Sequence, residues 1–121
     1  MQQSRNTKII LQKLDDLWII VYTYIIYEVK QTATFSAWLA KLKDNVAKVS
    51  ILRRIVRLEN GNLGDSKSVG DGVFELRIDV GQGYRVYFTN KDNKIIILLV
   101  GGDKSSQAKD ISTAKDMAKE V

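Results

Sequence analysis

Glu75, Arg77, Arg85 and Tyr87 sit at alternate positions of two apolar runs on either side of Gly81-Gln82-Gly83. In the first run Phe74, Leu76 and Ile78 alternate with Glu75, Arg77 and Asp79; in the second, Tyr84, Val86 and Phe88 alternate with Arg85, Tyr87 and Thr89. Period two marks strands, and the glycines between them suit a hairpin turn. If the apolar sets pack inward, Glu75, Arg77, Arg85 and Tyr87 project together from the opposite face. Two guanidinium groups can grip a phosphate with paired, planar hydrogen bonds, which an ammonium cannot do. The carboxylate and the phenol beside them can exchange protons. The same residue types also make an ordinary cross-strand salt bridge, Glu75 with Arg77 or Arg85, and the pattern alone leaves both readings open.

Composition narrows the chemistry. The chain has 121 residues, no Cys and no His. Disulfides, thiolate catalysis and zinc ribbons are therefore excluded, as are the commonest general base and metal ligand. Any catalysis must use Arg, Lys, Tyr, Ser or carboxylates, and nothing in the chain calls for a cofactor or a metal. Nineteen Lys and Arg against fourteen Asp and Glu give a net charge of +5. That balance favours an anionic partner such as RNA, DNA, the ribosome or an acidic protein. A chain of this length forms one domain with a modest core, so function is expected on a surface.

The elements that must position these residues follow from periodicity. Lys8 to Leu17 reads as a weak helix, and the aromatic and β-branched residues of 18–29 as a first strand. The apolar stretch from Leu17 to Val29 is too short for a bilayer span, which needs about twenty residues. Asp15 and Asp16 directly before it, with no cleavage motif after it, argue against a secretory peptide. A cytoplasmic protein without membrane contact is expected. Phe35, Trp38, Leu39 and Leu42 predict a helix, N-capped by Thr32 or Thr34. A second helix is predicted over about Asn45 to Asn60, with Val46, Val49, Leu52, Ile55 and Val56 inward and Gly61 ending it. On that helix Arg53, Arg54 and Arg57 share one side, either as a solvated face or as a contact for nucleic acid or a partner protein.

Four glycines fall between Gly61 and Gly72 without the spacing of a phosphate-cradling loop. The segment reads as a connection with turns at Gly64, Gly70 and Gly72, from which Lys67 could reach a phosphate. Lys94 to Val100 is a continuous apolar run, expected mid-sheet and covered at least partly on both faces. Gly101-Gly102-Asp103-Lys104 ends it, and Ser105 or Ser106 can cap a last helix with Ile111, Ala114 and Met117 or Ala118 on its apolar side. Lys104 should thus emerge at a strand end beside the arginine face.

The stretch from Gly64 through Asp79, the run Gly83-Tyr84-Arg85-Val86-Tyr87-Phe88 and the segment Gly101 to Gln107 together resemble the HigB-like addiction module killer branch of the RelE/ParE toxin superfamily. The resemblance covers roughly residues 25–121, leaving 1–24 as an N-terminal extension outside it. It implies an α+β fold, β-α-α-β-β-β-α, in which a twisted, largely antiparallel sheet packs against an N-terminal helical hairpin and a C-terminal helix. It also implies a type II toxin, a ribosome-dependent mRNA endonuclease held inactive by a cognate antitoxin of the HigA-like helix-turn-helix type. Within that resemblance Arg85, Arg77 and Lys104 match basic positions of the catalytic face, with Tyr87 and Glu75 beside them. Arg53, Arg54, Arg57 and Lys67 are further candidates for RNA contact. Where some relatives carry a tyrosine or histidine as proton donor, this chain offers Asp110.

RNA cleavage by its own 2′-hydroxyl needs a base for that hydroxyl, a cation for the phosphorane and an acid for the 5′-oxygen. Arg85 suits the cation's task and is too basic for the others. Glu75, Tyr87 or a lysine must then take the proton, unless the ribosome aligns the hydroxyl. A gyrase-binding toxin of the ParE type, or a remnant that only binds its antitoxin, would share the fold.

Overall fold

The computed structural model describes residues 7–24 and 26–121. Five strands form one sheet in the order β3 (Glu28–Gln31), β7 (Ile95–Asp103), β6 (Tyr84–Lys91), β5 (Val73–Ile78), β4 (Ser66–Gly70). All neighbours run antiparallel except β3 and β7. Helices α1 (Ala33–Lys41) and α2 (Asn45–Glu59) cover one face, and α3 (Gln107–Ala118) follows a short 3-10 turn to cover the other. The expected α+β architecture is present, with one strand more in this sheet than expected.

That strand is β4. The segment Ser66–Gly70, read from sequence as part of a connection, pairs with β5 as the sheet edge. Its polar composition hides it, since a short edge strand with Val69 as its one half-buried apolar residue shows no apolar alternation. Gly64, Gly70 and Gly72 do adopt positive φ as expected.

The N-terminal expectation needs a larger correction. Lys8 to Leu17 is no helix: β1 (Thr7–Leu14) and β2 (Leu17–Tyr24) form a separate two-stranded antiparallel sheet, turning at Asp15 with φ 54°. Ile9 and Ile10, β-branched neighbours, favour extended backbone over a helical turn. The single strand expected over 18–29 is therefore two, β2 and β3, and Ile25 between them lies outside the described residues.

α1 begins where Thr32 accepts a hydrogen bond from the Phe35 amide at 3.0 Å. The same hydroxyl donates to the Leu99 carbonyl at 2.6 Å. Leu99 is the extra residue of a β-bulge, because Tyr87 pairs with Val100 while Phe88 pairs with Leu98. The bulge rephases β7: Ile96 and Leu98 pack in the core under α1 and α2, while Leu99 and Val100 pack with Tyr87, Val73 and Ala114 of α3. Past it, Gly101 and Gly102 let two groups close on the strand. A Cβ on Gly101 would collide with the Trp38 ring, and one on Gly102 with the Asp110 carboxylate.

α2 is capped by Asp44, which accepts from the Ala47 amide at 3.0 Å, and is ended by Gly61 at φ 81°. Its rotation differs from the expected one. Ala47, Ile51, Ile55 and Leu58 are buried, whereas Val46, Val49, Leu52 and Val56 are exposed. Of the five residues expected inward, only Ile55 is.

Candidate active site

Register does the assembling. Lys67 on β4 pairs with Glu75 on β5, and Glu75 pairs with Tyr87 on β6, so one row crosses three strands. In the next row Arg77 faces Arg85, and Arg85 faces Gly102. Like charges directly opposite each other destabilise a sheet. Glu75, two residues from Arg77 along β5 and diagonal to Arg85 on β6, compensates. Its Oε1 lies 3.6 Å from Arg77 Nε, 3.7 Å from Arg85 Nε and 3.9 Å from Lys67 Nζ.

The other carboxylate oxygen is held firmly. Glu75 Oε2 accepts from the Tyr87 hydroxyl at 3.0 Å and from Gln107 Nε2 at 2.8 Å. Oε1, by contrast, is buried without a hydrogen bond, as are Arg77 Nε and Arg85 Nε. The ion-pair distances are attractive at long range but exceed hydrogen-bond length. Three converging polar atoms, one acceptor and two donors, are thus left with capacity to spare. Three cations against one carboxylate also leave the cluster with a positive excess that draws in an anion.

The face bearing this cluster is not the open surface that alternation suggested. α3 lies over it, so that Glu75 and Tyr87 are fully buried and Arg85 is 8% exposed. On the β4 side the cluster reaches the surface through Lys67 and Arg77, whose side chains are 52% and 37% exposed. Burial raises the Tyr87 pKa first, and its hydrogen bond to Glu75 and the charges of Glu75 and Asp110 raise it further, against Arg85. The phenol therefore keeps its proton at neutral pH and acts as a donor.

The structure brings together Glu75, Arg77, Arg85, Tyr87 and Lys67. Lys104 is exposed at the end of β7, its side chain lying across Gly83. Asp110 accepts from the Ser106 hydroxyl at 2.6 Å above Gly102. Arg53, Arg54 and Arg57 stand apart, on the helical layer across the sheet. Arg54 Nη1 donates to the Arg77 carbonyl at 2.8 Å from beneath the strand. Gln107 is the residue that sequence reasoning passed over. Its only signal was its place directly after the strand-ending Gly101 to Ser106 segment, where a helix start points its first side chain back to the sheet.

Residues 37–120 match the family model described as Phage derived protein Gp49-like (DUF891). The chain belongs to the Gp49-like family. An uncharacterised protein of Haemophilus influenzae strain Rd is 58% identical over 94 residues, covering 78% of this chain and 95% of that protein. Among solved structures, the free state of a doubly substituted E. coli toxin RelE superposes with a TM-score of 0.62 at 13% identity, over 78% of this chain and 98% of that one. At that identity the likeness establishes the fold. This Gp49-like protein thus has a RelE-like fold, and among its described residues no helix is long and apolar enough to cross a membrane.

Proposed function

We propose that the chain is the toxin of a type II toxin–antitoxin module, of the HigB-like branch, and that it cuts mRNA on the ribosome. The observation that carries this reading is the trio of buried, unpartnered atoms: Glu75 Oε1 with Arg77 Nε and Arg85 Nε. Their complement is a ribose 2′-hydroxyl beside a phosphodiester. The hydroxyl donates to Oε1, and the non-bridging phosphate oxygens accept from the two guanidinium groups. The RelE-like fold supports the same reading.

In this mechanism Glu75 Oε1 takes the 2′-hydroxyl proton, and the freed oxygen attacks phosphorus to form the 2′,3′-cyclic phosphate. The bond to the 5′-oxygen breaks in line with that attack. Arg85 and Arg77 stabilise the charge that builds on the phosphorane, a task suited to fixed donors in a buried site. Tyr87 and Gln107 hold Glu75 through its other oxygen, so the base has one orientation. The leaving 5′-oxygen takes its proton from Lys67, the one ammonium in the cluster. Lys104 grips the message further along the strand end. Alignment by the ribosome supplies what a lone acid–base pair lacks, up to ~7–11 kcal/mol in well-oriented reactions.

The partner of such a toxin is a small antitoxin, HigA-like and helix-turn-helix in this branch, and its site of action is the cytoplasm. Brief induction followed by mapping of mRNA 5′ ends on purified ribosomes tests the reading. Cuts at codon positions are expected within the first minutes. Arrest with uncut mRNA and an early rise in DNA damage signalling would instead identify a gyrase-directed toxin.

A further inference from the structure

The outer face of α2 carries two features that the sheet site does not use. Val46, Val49, Leu52 and Val56, at spacings of three, three and four residues, form an exposed aliphatic ridge. Their exposures run from 45% to 69%, high for aliphatic side chains on a helix that has a buried face of its own. At about 1.5 Å per residue the ridge is ~15 Å long, nearly three helical turns. Beside it runs a groove of about 250 Å³, with Arg53, Arg54 and Arg57 on the helix wall and Ile78 and Asp79 on the other.

Arg54 fixes the floor of that groove. One nitrogen is tied to the Arg77 carbonyl, while Nε and Nη2 are buried without an acceptor. Burial and the neighbouring Arg57 charge both disfavour its cation, against the pull of Asp65 and Asp79. An added carboxylate would relieve both strains. Arg53 and Arg57, one turn apart and exposed, offer further sites for carboxylates at the groove rim.

An aliphatic ridge edged by arginines excludes a purely electrostatic partner. Nucleic acid would use the arginines and gain nothing from four aliphatic side chains, and α2 offers no aromatic ring on which a base could stack. We infer that the outer face of α2 is the docking surface for an acidic amphipathic helix of another protein, whose apolar stripe covers Val46, Val49, Leu52 and Val56 while its flanking carboxylates enter the Arg53/Arg54/Arg57 groove. Periodic apolar anchors of this kind are how helices bind along a ridge or groove, and the charges set orientation and partner choice. The inference rests on α2 and the end of β5 that it faces, across the sheet from the Glu75 side chain, and is independent of whether the chain cuts RNA.

The test uses the full chain in its host cell, with a photoreactive phenylalanine analogue at Val49, a residue whose side chain is exposed. After irradiation, mass spectrometry maps the adduct to a segment, and that segment is synthesised and titrated against the purified chain by fluorescence anisotropy. The expected segment carries apolar residues three and four apart with Asp or Glu beside them. Charge reversal by Arg53→Glu with Arg57→Glu should weaken its binding at least tenfold, as should Leu52→Asp, and added salt should weaken the native pair. All three residues are exposed, so the core is untouched, and thermal melts confirm folding. An adduct with RNA, no protein adduct, a segment without acidic residues, or binding indifferent to the charge reversal would each overturn the inference. Ribosomal cleavage is not read in this assay, so the nuclease reading can fail while this one stands.

Discussion

Replacing Glu75 by Gln is the sharpest perturbation of the cluster, because it preserves shape and removes one charge. The amide oxygen can still accept from Tyr87 and Gln107, so the contacts at 3.0 Å and 2.8 Å survive. Three cations lose their counter-ion. Lys67 and Arg77 are exposed enough to turn toward water, and their pairs with Glu75 contribute little once screening is counted. Arg85, with its side chain 9% exposed, cannot. The cost therefore concentrates on one buried guanidinium left without its partner, ~3–5 kcal/mol by analogy with broken buried pairs. At roughly 4 °C per kcal/mol for a domain of this size, melting should fall by at least ~10 °C. Glu75→Gln combined with Arg85→Met removes both charges, and replacing a buried pair by apolar volume is often near neutral. The double variant should therefore melt above the single one. Differential scanning calorimetry of the wild type and both variants decides this. A Glu75→Gln protein that melts with the wild type would refute the claim that this carboxylate holds the arginines together.

Arg85→Ala should slow single-turnover cleavage of ribosome-bound mRNA by ~100 to ~1,000-fold, the ~2.7–4 kcal/mol typical of one preorganised donor to a developing oxyanion; an undiminished rate from a folded protein would sink the mechanism. Lys104→Ala should leave the chemical step intact and lower the slope of log affinity against log salt by about 0.7, as loss of one single-strand phosphate contact requires. Tyr87 supplies a pH test: its pKa is raised on folding, so its contribution to stability is complete below the unfolded tyrosine pKa near ~10 and is lost as pH rises through the folded value. Ultraviolet titration should show tyrosines that ionise only as the protein unfolds in alkali, and Tyr87→Phe should remove one phenol from that step; Tyr84, raised by burial and by Asp44, remains. A chain beginning at Tyr24 should melt within a few degrees of the full chain, since β1 and β2 form a sheet of their own and Leu11, Leu17, Trp18 and Ile20 are exposed; a large fall would show that the hairpin supports the domain.

The grouping of Glu75 with Arg77, Arg85 and Tyr87 was legible because pleat geometry is local. Alternation over six to eight residues fixes which side chains share a face, and the turn at Gly81 to Gly83 fixes register, so Glu75, Arg77, Arg85 and Tyr87 could be grouped from sequence. What lies over that face is not local. The charged residues of β5 pointed to solvent, while the continuous apolar run of β7 called for cover on both faces, and β7 was the better guide. α2 failed for a different reason. Val46-Val49-Leu52-Val56 and Ala47-Ile51-Ile55-Leu58 are both apolar at helical spacing, so the sequence contains two candidate core faces. Arg53 and Arg57 flank the first stripe, which makes it costly to bury, and that was the available clue.

The two arginine sets are linked through one strand, which gives the sheet site a rigid floor. Arg54 reaches under β5 to the Arg77 carbonyl, while the Arg77 side chain reaches over it to Glu75. On the far side, Gln107 ties Glu75 to the first residue of α3. Glu75 is thereby fixed through contacts from β4, β6 and α3, yet its Oε1 and the Nε atoms of Arg77 and Arg85 remain without hydrogen bonds. Buried polar atoms without partners cost ~1–3 kcal/mol each, so a group that supplies the matching donor and acceptors gains by binding there. In the proposed mechanism that group is a ribose 2′-hydroxyl beside a phosphodiester, drawn in by the excess of positive charge.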